Sequence, residues 1–367
     1  MVLQIEKSIL DKSIEFMSKY VDSINAFIPF RCLKFDVTYQ SITITASNGI
    51  ISAKKTILVN DLNTKIEKEG EFLINCAYFK NIIKKLDKTI NIIVDENKIL
   101  IKDSSSEYKL NKINHVYPLI NFNISENNFK VNFDKLDSAI KDVCVAAGDD
   151  NSGLMLRCIN LSCKDNKIIL VASDGYRLST EFIEIEKNLK FNFSINNRNL
   201  KSMIQKTNEE EVELFYDDNK LGVIYKDTII QSLLVDIPYT DVSGLFPKEF
   251  SRKIVINKNV LLNLINKVVF VNQEKANNRL QFKINKNELK LIYEVSEVGI
   301  SQASTSDFHL EGDSIEIDFN YNFVKDAINI YGDDDINLLI NNEGVIMLIV
   351  SENNKNNKQL ITALRRY

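Results

Sequence analysis

At 367 residues, with 44% hydrophobic and 26% charged side chains, the chain is long enough for two or three domains with apolar cores. A formal net charge of −4 excludes a protein that coats nucleic acid with its whole surface, while leaving room for a basic stripe. No run approaches the roughly 18 apolar residues of a membrane span, and MVLQIEKSILDKSIEF lacks the basic-then-apolar layout of a secretory signal. The five cysteines form no C-x-x-C pair, which points to free thiols in a reducing cytosol rather than a disulfide or zinc framework.

In chain order, the first segment is LQIEKSILDKSIEFMSKYV from Leu3, a short alternating strand running into an amphipathic helix. Leu10, Ile14, Met17 and Val21 form its apolar stripe, with Lys12 and Lys19 on another face. Next comes ITASNGIISA at Ile44–Ala53, apolar residues turning on Asn-Gly, a pair that favours positive φ in a tight hairpin. GEFLINCAYFKNIIKKLDKTINIIVDENKILIKD follows as strand, helix and two strands joined by DENK. In its helix Phe79, Ile82, Ile83 and Leu86 face the core, while Lys80, Lys84 and Lys88 are expected to line up at i, i+4 and i+8.

Both patterns then recur. FKVNFDKLDSAIKDVCVAA from Phe129 and RKIVINKNVLLNLINKVVF from Arg252 repeat the first. LKFNFSINNRNLKSMIQKTNEEEVELFYDDNKLGVIYKD and SIEIDFNYNFVKDAINIYGDDDINLLINNEGVIMLIVSE repeat the second, with DDNK and NNEG as turns. The patterns alternate with a return of about 120–126 residues, well above a solenoid period. The expected organisation is α+β, three similar domains at 1–124, 125–250 and 251–367, each of two strand-helix-strand halves. Polar or Pro-containing connectors lie near Asn121–Asn128 and Phe246–Arg252.

Cations recur at equivalent helix positions: Lys135 and Lys141, Arg198, Lys201 and Lys206, then Lys267, Lys275 and Arg279. Taken singly each is a solvated face; together, six helices facing one way would give an acidic protein a basic wall. The Asn-Gly turn also recurs as LVASDGYRLSTE, dressed with Tyr176, Arg177 and Leu178, residue types that anchor interfaces. Chemistry has little purchase. His115 and His309 are the only histidines, and no Walker A, G-x-G-x-x-G or H-E-x-x-H occurs. Asp149-Asp150, Asp217-Asp218 and Asp333-Asp334-Asp335 read as solvated turns, so no catalytic residue, metal or cofactor is expected.

Three doubled units, Ala172-Ser173-Asp174-Gly175-Tyr176-Arg177-Leu178, and the tail ITALRRY together resemble the bacterial replicative sliding clamps, the beta subunits of DNA polymerase III. That family typically shows Ala-Thr-Asp-Gly-His-Arg-Leu at the first motif. Leu234-Val235-Asp236, Phe246-Pro247 and Val271-Asn272-Gln273-Glu274-Lys275 are similar to further family segments. The resemblance implies the DNA clamp fold, a head-to-tail homodimeric ring with helices inside and sheets outside, enclosing duplex DNA without sequence preference. It implies a non-catalytic processivity subunit in the cytoplasm, on the nucleoid during replication, with the replicative polymerase, a clamp loader and other peptide-bearing proteins as partners. It also implies a peptide-binding cleft walled by Ser173, Gly175, Tyr176, Arg177, Leu178, Thr240, Leu245, Phe323, Ile346, Leu360, Thr362, Ala363, Leu364 and Arg365.

Departures from the family pattern bear on that cleft. Gly148-Asp149-Asp150-Asn151-Ser152-Gly153 stands where the family has Arg-Pro-x-Leu-x-Gly, which removes a DNA-contacting cation and a wall leucine. Thr240–Gly244 and Thr362-Ala363 also differ, so peptide preference is expected to differ. A three-repeat peptide-binding scaffold that does not encircle nucleic acid is the competing reading, and a hydrolase a distant third. A chain that stays monomeric at micromolar concentration would favour the scaffold.

Overall fold

The computed structural model describes residues 1–60, 62–271 and 278–365. All six expected strand-to-helix junctions form: α1 is Lys7–Met17, α2 Cys76–Lys85, α3 Phe133–Cys144, α4 Asn197–Met203, α5 Lys258–Val268 and α6 Tyr321–Asn329. Five of these helices follow a strand that ends in Asn. The side-chain oxygens of Asn75, Asn132, Asn196, Asn257 and Asn320 accept from the backbone N–H groups of Tyr78, Lys135, Arg198, Asn259 and Asn322 at 2.9–3.1 Å. Asn is among the best residues for satisfying the orphan N–H groups of a first helical turn, so one residue type stops the strand and starts the helix.

Chain contacts gather into two compact units, Met1–Val131 with Ser202–Leu234, and Asn132–Lys201 with Val235–Tyr367. The first unit holds a five-stranded sheet in the order Thr64–Lys68, Val2–Glu6, Thr89–Val94, Lys98–Lys102, Glu107–Asn111. Its eight-stranded sheet runs Asn128–Asn132, Glu211–Tyr216, Lys220–Tyr225, Thr228–Leu233, Ile51–Leu58, Ser41–Ser47, Cys32–Val37, Gly70–Asn75. The pair Ile51–Leu58 with Thr228–Leu233 joins segments distant in sequence. Helices α1 and α2 pack on one another and on these sheets. Leu10, Ile14, Met17, Phe79, Ile82, Ile83 and Leu86 are buried as their periodicity demands, and Phe35 stacks on Phe72 with centroids 4.7 Å apart.

The second unit repeats the plan. A nine-stranded sheet runs Phe191–Asn196, Cys158–Lys164, Lys167–Ser173, Arg177–Glu184, Lys358–Thr362, Ile346–Ser351, Asp335–Ile340, Arg252–Asn257, His309–Glu311. A four-stranded sheet runs Gly299–Thr305, Leu289–Val295, Arg279–Ile284, Ile315–Asn320. Here the join is Arg177–Glu184 with Lys358–Thr362, again antiparallel. Helix α3 packs on Lys167–Ser173 and Arg177–Glu184, and α5 packs on α6.

Candidate peptide-binding cleft and cationic helix faces

The two Ser-Asx-Gly turns share one hydrogen-bond scheme. Ser47 and Ser173 accept through Oγ from the N–H of Gly49 and Gly175, at 3.0 and 3.1 Å. Asn48 Oδ1 accepts from Ile50 and Ile51 N–H, and Asp174 Oδ1 from Tyr176 and Arg177 N–H, all at 2.9–3.0 Å. Only the glycine of each turn has positive φ, +96° and +91°, rather than the pair of residues expected for the turn. The Asx side chain supplies the missing bonds, so its own backbone need not be left-handed.

What differs is the floor beside the turn. In the second unit Leu178 lies opposite Ser173 on one side and Leu360 on the other, and Leu360 lies opposite Leu348. These leucines and Val171 make a buried cluster, with Ile346, Tyr239, Val242 and Phe246 packed against it. A cavity of about 260 Å³ opens alongside, with Ser173, Gly175, Thr240 and Leu245 in its lining. Thr240 and Leu245 come from the connector that crosses this sheet, and Leu245 is 57% exposed.

Arg177 is not a free cation. Its Nε bonds Asp174 at 3.0 Å, its guanidinium reaches Asp326 at 2.6 Å, and Cζ lies 4.3 Å from the Phe323 ring centre. That arrangement binds the hairpin to α6 and commits Phe323 to the arginine. Tyr176 projects, 65% exposed, while its carbonyl accepts from Thr362 N–H and Oγ1 at 3.0 and 2.8 Å. Ala363 N–H donates to Val345 O and Leu364 N–H to Asp318 O, both at 2.8 Å. The tail is thereby fixed beside the hairpin as far as exposed Arg365.

The expected wall residues therefore fall into layers. Ser173, Gly175, Thr240 and Leu245 line the cavity. Leu178 and Leu360 form the floor of the adjoining cluster, and Ile346 packs on it. Arg177, Phe323, Thr362, Ala363, Leu364 and Arg365 belong to the frame around it. The sequence reading missed Met155, Leu156, Cys158, Val171, Ala172, Tyr239 and Val242, all in the lining. After the loop Gly148–Gly153, a turn at Met155–Arg157 lays Met155 and Leu156 against the cavity. The signal was the apolar Leu154-Met155-Leu156 directly after the polar loop.

The cationic faces are less uniform than the repeat suggests. Lys12 is exposed on α1, and Lys19 lies in the 3₁₀ turn Ser18–Tyr20, bonded to Gln205 Oε1 at 2.8 Å. Lys80 pairs with Glu15 at 2.8 Å and Lys84 sits 3.8 Å from the same carboxylate. Lys88 does not continue that row. Leu86 is extended, Lys88 has φ +44°, and the Lys7 ammonium caps the end of α2 by donating to Lys84 O and Leu86 O. Lys135, Lys201 and Lys267 are exposed on α3, α4 and α5. Lys141 is held by Asp137 at 2.6 Å and Arg198 by Asp150 at 2.8 Å. Lys206 is exposed beyond the end of α4. Arg279 opens a strand rather than extending a helix face; it pairs with Asp318 at 2.8 Å and donates to Arg365 O. Lys275 lies outside the described residues.

Family models for the N-terminal, central and C-terminal domains of the DNA polymerase III beta subunit match residues 1–121, 130–241 and 243–365. A beta sliding clamp of Mycoplasmopsis pulmonis is 32% identical over 372 residues, covering 100% of both chains. This chain belongs to the beta sliding clamp family. A second relative, the beta sliding clamp of Mycoplasma capricolum, is 24% identical over 375 residues and 98% of each chain. Among solved structures, the Bacillus subtilis sliding clamp superposes with TM-score 0.94 at 22% identity, and the Streptococcus pyogenes beta subunit with TM-score 0.92 at 22%, each over 100% of both chains. The fold is accordingly the DNA clamp fold, and the function that of a DNA sliding clamp.

Proposed function

We propose that two copies of this chain close head to tail into a ring around duplex DNA and hold the replicative polymerase, the clamp loader and other partners through short peptides seated in the cleft. The domains of that ring are the sequence repeats 1–124, 125–250 and 251–367, with helices toward the hole. The chain acts without bond chemistry, in the cytoplasm and on the nucleoid during replication. Among the described residues no cluster of side chains suits a metal ion, and no helix is long and apolar enough to cross a membrane.

The observation that carries the reading is the apolar floor Val171–Leu178–Leu348–Leu360 beside an open cavity, framed by an arginine already paired and a tail already bonded. A preformed apolar pocket with few polar groups favours a short peptide anchored by apolar side chains. Ring closure draws support from two sheet edges that are unpaired among the described residues, Glu107–Asn111 in the first unit and Gly299–Thr305 in the second. Val298 and Ile300 stand exposed at the latter, and an unpaired edge is a template for another strand. A topological link needs only weak phosphate contacts, and tethering raises a partner's effective concentration toward the millimolar range.

The test loads the clamp on nicked circular DNA and then linearises it. Retention on the circle with rapid loss from the linear form is expected; equal release from both would end the encirclement reading. Leu178→Ala combined with removal of Leu364–Tyr367 is expected to abolish peptide binding while the dimer persists. Unchanged peptide affinity would place the binding site elsewhere.

A further inference from the structure

Behind the cleft floor, on the opposite face of the same two strands, lies a buried polar group of residues that the clamp function does not use. Asp142, near the end of α3, and Glu181, on Arg177–Glu184, are each only 8% exposed. Their carboxyl groups lie close enough to act on one another's ionisation. Glu181 Oε2 accepts from Asn357 Nδ2 at 2.8 Å, and Asp142 Oδ2 accepts from Ser138 Oγ at 3.2 Å. Gln359 Nε2 donates to Asp142 O at 3.1 Å and to Asn357 Oδ1 at 2.9 Å, and Ser179 Oγ donates to Asp142 O at 3.1 Å. Tyr331 OH closes the far side, donating toward Ile349 O and Asn357 Oδ1 at 3.1 and 3.3 Å.

Three sequence-distant segments meet here: α3, the strand Arg177–Glu184 and the strand Lys358–Thr362. Ser179 and Gln359 are directly opposed across the seam between those two strands, one position along from Leu178 and Leu360. The side chains that face the two carboxyls are amides and hydroxyls. The remaining charged groups within reach are Asp137 and Lys141, on α3 itself and paired to each other. Among the described residues no ion pair reaches either acid. Two carboxylates this close, desolvated and without a cation, cannot both ionise cheaply. Burial pushes Asp142 up to about 6, with the Ser138 and Glu181 side chains opposing the rise. Burial again, with the neighbouring Asp142 carboxyl, pushes Glu181 up to about 7. The two titrate as a pair, so these values describe the shared site.

We propose that Asp142 and Glu181 hold one proton between them and act as a pH-responsive clasp on the seam between Arg177–Glu184 and Lys358–Thr362. With the proton in place one carboxyl donates to the other and every member of the group is bonded. Without it two negative charges repel inside a pocket of neutral dipoles, and water is drawn between α3 and the seam to solvate them. The linkage sign follows from acids whose folded pKa is raised: between the unfolded range near 4 and the folded range of about 6 to about 7 the native state binds more protons. The stability contributed by the clasp is thus fully present at the acidic end and lost as pH rises through that window. This inference rests on the second unit alone and stands whether or not the cleft binds peptide.

The test follows hydrogen exchange at the backbone amides of Lys358–Thr362 in the full chain, corrected for intrinsic exchange rates, from about pH 5.5 to about pH 8.5. Protection is expected to fall by roughly tenfold as pH rises toward the folded range of about 7 and to level off above it. Glu181→Gln, which still accepts from Asn357, is expected to shrink that transition to what Asp142 alone contributes, and Asp142→Asn to shrink it to the part of Glu181. Infrared titration of the unmodified protein supplies a readout that needs no variant to fold: a protonated-carboxyl band should persist at neutral pH and vanish above it, and be absent in Glu181→Gln. Seam protection independent of pH, an unchanged profile in Glu181→Gln, or no protonated carboxyl at neutral pH would each overturn the proposal.

Discussion

Leu178 faces Leu360 across the strand join of the second unit, and in the first unit the matching join sets Ser52 opposite Gln231. The frames correspond residue for residue: Ser173 opposite Leu178 matches Ser47 opposite Ser52, and Leu348 opposite Leu360 matches Gly222 opposite Gln231. Even the carbonyl after the glycine is used alike, Tyr176 O accepting from Thr362 N–H and Ile50 O from Leu233 N–H, both at 3.0 Å. One frame has an apolar floor and the other a polar one, so the two matching turns border surfaces of different character.

Truncating that floor should be felt twice. Leu178→Ala removes a side chain that is 2% exposed, at an expected cost of about 2–4 kcal/mol in denaturant unfolding. The same variant should weaken binding of a fluorescent partner peptide. Ser52→Ala, at the matching position, should leave peptide binding unchanged.

Arg177 spans the hairpin and α6, so Arg177→Lys tests geometry with the charge kept. A lysine cannot bond Asp174 and Asp326 through a planar fork while stacking on Phe323. A loss of about 1–2 kcal/mol in stability is expected, with faster proteolytic cleavage at the Asp174–Tyr176 turn.

Two glycines should respond differently to alanine. A Cβ on Gly222 would lie 2.1 Å from the Phe215 ring, so Gly222→Ala should cost about 1–3 kcal/mol through displacement of that ring. Gly175 has open space but φ +91°, so Gly175→Ala should cost only about 1 kcal/mol, as backbone strain. Thermal unfolding of the two variants separates the causes.

Unpaired helix lysines should matter more for holding DNA than paired ones. Lys12→Gln is expected to lower the salt dependence of clamp retention by up to about 0.9 in log–log slope for each phosphate no longer neutralised. Lys141→Gln, whose ammonium is already held by Asp137, should change it little. Retention measured on circular DNA across a salt series gives both slopes.

The cysteines should be silent toward thiol reagents in the native state. All five are buried and free. Burial pushes the Cys32 and Cys76 thiols up to about 11 and Cys144 up to about 12, so the reactive thiolate is scarce at neutral pH. Labelling should proceed only with unfolding, and one fast-reacting thiol in the folded protein would contradict this.

Local chemistry made much of this molecule legible. The 3.6-residue stripes on α1 and α2, the Asp and Asn turns and the Asn that closes a strand and opens a helix are each written within a few residues. Positions settled by tertiary bonding were not legible in that way. Lys88 continued the spacing of Lys80 and Lys84, but α2 ends at Lys85, where the lysine of another helix takes its carbonyls. Arg279 read as a cation for DNA, whereas Asp318 and the tail carbonyl of Arg365 claim it. The apolar pair Met155 and Leu156 did not by itself point to the cleft, and it is a 3₁₀ turn that lays them against the cavity.

The sequence by itself determined the six strand-helix halves, their alternation and the hairpin that departs from its twin, because propensity, capping and turn chemistry act over short stretches of chain. Only the tertiary structure decided that Arg177–Glu184 zips to Lys358–Thr362, which sets Leu178 on Leu360 on one face and Asp142 beside Glu181 on the other. Which charges stay free and which acids keep a proton depends on partners far away in sequence, as with Arg177 and Asp326 or Glu181 and Asn357. Such pairings carry no local signature, since burial and bonding are properties of the packed neighbourhood and not of the residue.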